Sequence, residues 1–329
     1  MTMRKISLGA VFGVIAGLFA SSALADGVVN VYTAAPQNFI DEMVPVFEAA
    51  TGTKVEVIKA GSGELLNRLT AESAKPVADV LWSVDGTVVD FNKTLFEPYT
   101  SVNDAAVLPS MKKSDLWSPF TAVVTCFIVN ESKLDGAPVP QSWADLAKPE
   151  YKGVISVARA DKSGSAYIQY ATVLQAFSDE AAGMEKYKEM LANFVLSDSS
   201  GAVPRLVNDG ELAVGVTLED AALRYKEGGG PVQLVYPSEG TAVAPDAVAL
   251  IKGAPNPDNA KAFIDFILST EGQEIVAKLG RRPVRGDVKS NAALAPLSEI
   301  KDINYDFEWA AKERDRLMKT WSDMVLDVQ

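Results

Sequence analysis

The 329-residue chain carries 43 acidic against 31 basic side chains, a formal net charge of −12. That balance argues against a nucleic-acid partner, which needs a basic stripe to neutralise phosphates. The lack of histidine removes the imidazole base and the commonest zinc or copper ligand, and one cysteine, Cys126, cannot close an internal disulfide.

Arg4 and Lys5 precede an apolar run from Ile6 to Ala20, and Ser21-Ser22-Ala23-Leu24-Ala25 ends in the small-x-small pattern that a signal peptidase cuts. The run is shorter than the roughly 20 residues that cross a bilayer. Residues 1–25 therefore read as a leader cleaved after Ala25, with the remainder working outside the cytoplasm. Losing the two leader cations makes the remaining chain more acidic still.

Val28 to Thr33 is a β-branched run that reads as a strand, and Phe39 to Ala50 carries apolar residues at the helical period. Gly52 ends that helix. Lys54 to Ile58 is a second strand, Gly61-Ser62-Gly63 leads into a helix carrying Leu65, Leu66 and Leu69, and Ala78 to Trp82 is a third strand, followed by a turn at Ser83-Val84-Asp85-Gly86. This alternation is a doubly wound α/β pattern. A long apolar strand spans Leu116 to Asn130, with Cys126 inside it as a buried small hydrophobe. A second α/β region runs from Val154 to about Val235, with helices at Tyr167–Phe177 and Glu180–Leu196 and a strand at Ala213–Thr217. Another long apolar stretch follows at Ala242–Ile251. Asn256-Pro257 opens an amphipathic helix, with proline at its favoured first position, and a helix from Asp306 to Met324 closes the chain.

Two long strands that bracket one α/β region imply a chain crossing twice between two α/β lobes. The first lobe comprises 26–124 with 243–329, the closing helices reaching toward both lobes, and the second comprises 125–242. Ligands of open α/β sheets bind where strand carboxyl ends meet helix N-termini. Four turns there share small and hydroxyl residues: Gly61-Ser62-Gly63-Glu64, Ser83-Val84-Asp85, Ser163-Gly164-Ser165-Ala166 and Ser197 to Ala202. Such turns cradle phosphate, sulfate or carboxylate on free N–H groups and hydroxyls; each alone is equally a plain N-cap. The candidate ligand contacts are Ser62, Gly63, Ser83, Asp85, Ser163, Ser165, Ser199 and Ser200, joined by Tyr32 and Thr33 at the end of the first strand and by Thr217. Glu219 either accepts hydrogen bonds from ligand hydroxyls, pairs with a ligand amine, or caps its helix. Arg281, Arg282 and Arg285 read as a solvated basic surface, with a phosphate clamp as the alternative.

Val31-Tyr32-Thr33-Ala34, Gly61 to Leu66, Ala78 to Trp82, Pro140 to Leu146, Ser200-Gly201-Ala202-Val203-Pro204 with Asn208 to Glu211, and Pro245 to Leu250 together resemble one family. It is the extracellular solute-binding proteins of ABC transporters, of the ferric-iron-binding type, and the likeness covers nearly the whole chain after the leader. The resemblance implies a type 2 periplasmic binding fold, a monomer in the periplasm, and hinge closure over a small molecule that is handed to a membrane permease, with no cofactor. Iron-binding members place two adjacent tyrosines after the strand matching Ala213–Val216. Here Thr217-Leu218-Glu219-Asp220 stands there and no two tyrosines are adjacent. The chain is thus more similar to relatives that bind hexose phosphates or aminoethylphosphonate. A metal held by Asp85, Glu219 and Asp220, or a polyamine- or thiamine-type cation, are the alternatives. With no histidine and no Ser-x-x-Lys in a cleft turn, nothing visible activates a serine, and no enzymatic activity is expected.

Overall fold

A computed structural model of the chain describes residues 27–328; the leader and its cleavage point after Ala25 lie outside the described residues. β1 (Val28–Thr33), α1 (Gln37–Thr51), β2 (Lys54–Lys59), α2 (Ser62–Glu72), β3 (Val80–Asp85) and α3 (Gly86–Phe91) alternate as the apolar periods imply. Gly52, at φ 72°, ends α1 by donating its N–H to the Glu48 carbonyl at 2.8 Å, the left-handed cap that glycine adopts without strain. β4 (Ser118–Val129) is buried along all 12 residues.

The second region holds β5 (Ile155–Ala158), α4 (Gly164–Ala176), α5 (Glu180–Leu191), β6 (Phe194–Ser197), α6 (Ala202–Asn208), β7 (Val214–Leu218), α7 (Glu219–Glu227) and β8 (Gln233–Val235). The chain then returns through β9 (Val243–Leu250), α8 (Pro257–Ile267), α9 (Thr270–Lys278) and β10 (Arg282–Pro283), and closes with α10 (Phe307–Lys312) and α11 (Arg314–Val328). Two expectations change here. The helix expected from Glu180 to Leu196 stops at Leu191, because Phe194 to Ser197 pair in parallel with Ile155 to Ala158 as a strand. The closing helix is two helices, separated at Glu313.

The strand order is β2-β1-β3-β9-β4-β7-β5-β6. β4 joins two sheets: Ser118 to Val124 pair antiparallel with β9, and Thr125 to Val129 pair antiparallel with β7. The chain crosses a second time between β8, which pairs with the far end of β4, and β9, which pairs with its near end and with β3. Each side has its own core. Phe39, Phe47, Trp82, Phe120 and Phe263 cluster on one face of the first sheet, whereas Phe127, Trp143, Tyr167, Tyr170 and Trp321 belong to the second lobe. The last two helices reach both sides: Phe307 of α10 stacks at 5.7 Å on Trp117 of the first lobe, while Ala310 of α10 and Leu317 and Trp321 of α11 enter the second core. Cys126 is fully buried in β4, and burial pushes its thiol well above the ordinary value.

Candidate functional site

The turn segments of both lobes converge on one cavity of about 440 Å³ between the sheets, lined by Gly61, Ser62, Ser83 and Asp85 from the first lobe and by Ser163, Gly164, Ser165, Ser199, Ser200 and Thr217 from the second. The choice between capping and cradling differs from turn to turn. Ser163 caps α4 by accepting from the Ala166 N–H at 3.3 Å and shares a hydrogen bond of 2.9 Å with Ser165. Asp85 caps α3, accepting from the Thr87 N–H at 2.9 Å and the Thr87 hydroxyl at 2.6 Å. No side chain caps α2 or α6. The first-turn N–H groups of α2 remain open to an acceptor, whereas α6 offers few, since its Ala202 N–H donates to the Ser199 carbonyl at 3.1 Å and Pro204 has none. Ser199 and Ser200 stand exposed at the cavity rim.

The floor is built by an irregularity. Ser83 breaks the register between β3 and β9 and adopts φ 56°, a conformation uncommon outside glycine. The bulge re-aims its hydroxyl, which donates to Asp246 Oδ2 at 2.9 Å. Asp246 also accepts from the Thr121 N–H at 2.8 Å and the Thr121 hydroxyl at 2.5 Å, so its four bonding positions are nearly filled. Arg281 completes the group. Its Nη1 donates to Asp246 Oδ2 and to Ser83 Oγ, both at 3.2 Å, while Nε and Nη2 donate to Asp220 Oδ2 at 3.1 and 2.9 Å. Two buried carboxylates thus share the Arg281 guanidinium. Burial pushes Asp85 up to about 6, opposed by the positive charge of Arg314 and the Thr87 bonds; burial also raises Asp246 against the pull of Arg281.

The rim has the opposite sign. Lys59, Lys162 and Arg224 line the mouth, all three exposed, and none forms an ion pair among the described residues. Asp198 beside them is 3.7 Å from Arg159.

Four expected contacts and the arginine cluster need correction. Tyr32 does not reach the cavity: its hydroxyl donates to Glu72 at 2.8 Å inside the first lobe, under the Arg68 guanidinium. Thr33 is fully buried, donating to the Trp82 carbonyl at 2.8 Å and accepting from the Ala35 N–H. Gly63 lies in the seam between the lobes, against the Asp161 carbonyl. Glu219 is 2% exposed and held by Arg282, Nε to Oε1 at 2.6 Å and Nη2 to Oε2 at 2.9 Å, with Tyr236 donating at 2.8 Å. Arg281, Arg282 and Arg285 are buried rather than solvated. The metal alternative through Asp85, Glu219 and Asp220 loses its donors on the same ground, since arginines occupy the last two.

Sequence reasoning missed Asp246 as a cavity residue, and raised Asp220 only as a ligand of the alternative metal and Arg281 only within the alternative phosphate clamp. One signal was present: Asp246 is a lone carboxylate in an otherwise apolar strand, and buried carboxylates are rare unless paired.

Two lobes around a polar cleft at the strand ends define a binding protein. The model of the bacterial extracellular solute-binding proteins matches residues 75–308, and the chain belongs to that family, solute-binding proteins of the ABC import type. It is 30% identical to the Fe(3+)-binding periplasmic protein of Serratia marcescens, with 91% of this chain and 93% of that one covered. Against a putative 2-aminoethylphosphonate-binding periplasmic protein of Salmonella typhimurium the identity is 28%, over 98% of each chain. The structure of the periplasmic binding protein AfuA from Actinobacillus pleuropneumoniae, with fructose-6-phosphate bound, matches with a TM-score of 0.87 and 30% identity, covering 92% of this chain and 99% of that one. Among the described residues no helix is long and apolar enough to cross a membrane.

Proposed function

We propose that the cleft takes a small organic solute bearing a phosphate or phosphonate group. The observation that carries this reading is the polarity of the cavity: the uncapped start of α2 and three cations without a carboxylate partner at the mouth, and carboxylates at the floor. The anion would meet the α2 start with Ser62, Ser165, Ser199 and Ser200, flanked by Lys59, Lys162 and Arg224. Hydroxyl or amine groups on the rest of the ligand would face Thr217, Asp85 and Asp220. The ligands named for the similar AfuA and Salmonella proteins have this two-ended character.

The leader is removed after Ala25, and the protein works in the periplasm as a monomer without nucleic acid or catalysis. The lobes divide where β4 changes partner, between Val124 and Thr125, and again near residue 242. Ligand contacts to both lobes favour the closed state, and closure presents the loaded protein to the permease.

Isothermal titration of the purified protein with fructose 6-phosphate, 2-aminoethylphosphonate, spermidine and ferric citrate tests the reading. Saturable binding of a phosphorylated or phosphonate compound is expected. Binding confined to spermidine or to ferric citrate would refute it.

A further inference from the structure

The two lobes meet at three glycines that the local backbone does not require. Gly61 precedes α2 with φ −69° and ψ 152°, Gly63 is inside the first turn of α2, and Gly164 is the first residue of α4; none has a left-handed φ. In a helix, glycine is less favourable than alanine by about 1 kcal/mol. Local structure therefore argues against glycine at position 63.

What asks for it is the opposite lobe. A Cβ on Gly61 would stand 2.7 Å from the Lys162 carbonyl oxygen, and one on Gly63 would stand 2.8 Å from the Asp161 carbonyl oxygen. From the other side, a Cβ on Gly164 would meet Asp85 Cβ at 2.8 Å and Ser62 Oγ at 3.0 Å. The first three distances are shorter than real Cβ atoms keep, and the first two obstacles are backbone. The segment at 161–162 is a closed turn, its Lys162 and Ser163 N–H groups donating to the Arg159 carbonyl at 3.2 and 3.1 Å, and the turn is tied to its lobe by the Arg159 N–H, which donates to the Ser197 carbonyl at 2.9 Å. It moves with its lobe.

We infer that Gly61, Gly63 and Gly164 are closure-determining positions, whose missing side chains let the lobes meet edge to edge and seal the ligand cavity between Ser62, Asp85 and Ser163. The inference rests on the binding function proposed above, but it concerns the wall of the cavity and not the identity of its occupant. A methyl group at the seam acts as a wedge on the closed state and touches nothing once the lobes part. It therefore weakens ligand retention without weakening the fold.

The test compares the wild-type protein with Gly63→Ala in a background carrying spin labels on Lys75→Cys in the first lobe and Glu185→Cys in the second. The native Cys126 is buried and escapes labelling. Fructose 6-phosphate and 2-aminoethylphosphonate are the probes. The wild type should move to a shorter label distance on binding. Gly63→Ala should bind about tenfold or more weakly, as expected for one overpacked methyl group, with a smaller short-distance population and an unliganded unfolding temperature equal to the wild type or higher. Equal affinity and equal closure in the variant would overturn the inference, as would a wild type that never samples the short distance. If the wild type binds neither probe yet samples a short distance that the variant loses, the ligand assignment fails and the seam stands.

Discussion

Asp85 is a carboxylate taken out of water to stand at the cavity wall. Its native value, about 6, lies above the ordinary 3.8 because burial outweighs the Arg314 charge and the two Thr87 bonds. The folded state thus holds the proton more tightly than the unfolded chain. The stability Asp85 contributes is present below pH 4 and is lost as pH rises toward 6, and the gap between the two values corresponds to about 3 kcal/mol. Asparagine accepts the same Thr87 N–H and is a good helix cap, without the charge. Asp85→Asn should therefore be no more stable than wild type at pH 4 and more stable at pH 7, by up to about 3 kcal/mol, at the expense of ligand affinity. Denaturant melts at the two pH values check this; a stability difference that does not change with pH would contradict it. Residues of this kind were legible in the sequence, since Asp85, Ser62 and Ser163 follow strands and precede helices in a local pattern. Tyr32 and Thr33 misled because β1 has neighbours on both edges and cover on both faces, so position at a strand end did not say where the side chain pointed.

Between elements, two buried ion pairs join α7 of the second lobe to β10 of the first and the turn before it. Glu219 and Asp220, adjacent in the first turn of α7, take Arg282 and Arg281 respectively. The same two carboxylates complement the positive end of the α7 dipole. Arg282 is 3% exposed, so Glu219→Gln would leave a buried charge without its counter-ion, at a cost of about 3–5 kcal/mol. Replacing both partners by Glu219→Leu and Arg282→Met removes the stranded charge and should recover much of that loss. Thermal unfolding of the single and double variants decides the point: a double variant as unstable as the single one would show that the ion pair is not the source of the effect. The carboxylates and arginines are some 60 residues apart in sequence, which is why the arginine cluster read as solvated surface. Periodicity and turn chemistry report neighbours along the chain. They do not report which distant carboxylate will face a guanidinium, and they could not tell helix from strand at Phe194 to Ser197, where pairing with β5 decides.

Over the whole molecule, two cores are tied by β4, by the return through β9, and by the closing helices. The two-lobed plan was legible because long apolar strands bracketing an α/β region have few other uses. The closing helices were expected to reach both lobes, but their division at Glu313 was not legible, since one helical period ran through both. That division makes the end of the chain a third connection. Trp321 of α11 is fully buried, its indole N–H 3.1 Å from the Tyr187 hydroxyl and the Arg159 guanidinium 5.3 Å from its ring. Trp321→Ala should cost about 3–5 kcal/mol, and the cost should fall on one side of the hinge. Amide hydrogen exchange resolves this, because local opening is read element by element. Faster exchange is expected in β5 and β7, whose core Trp321 completes, with β1 and β3 unchanged. Equal acceleration in all four strands would mean that the lobes unfold as one unit, and the flexible hinge between independent bodies would have to be abandoned. A ligand that binds only the closed native state should slow exchange in both lobes together, by an amount that grows with its concentration over its dissociation constant. That joint response separates coupling through the cavity from coupling through the strands.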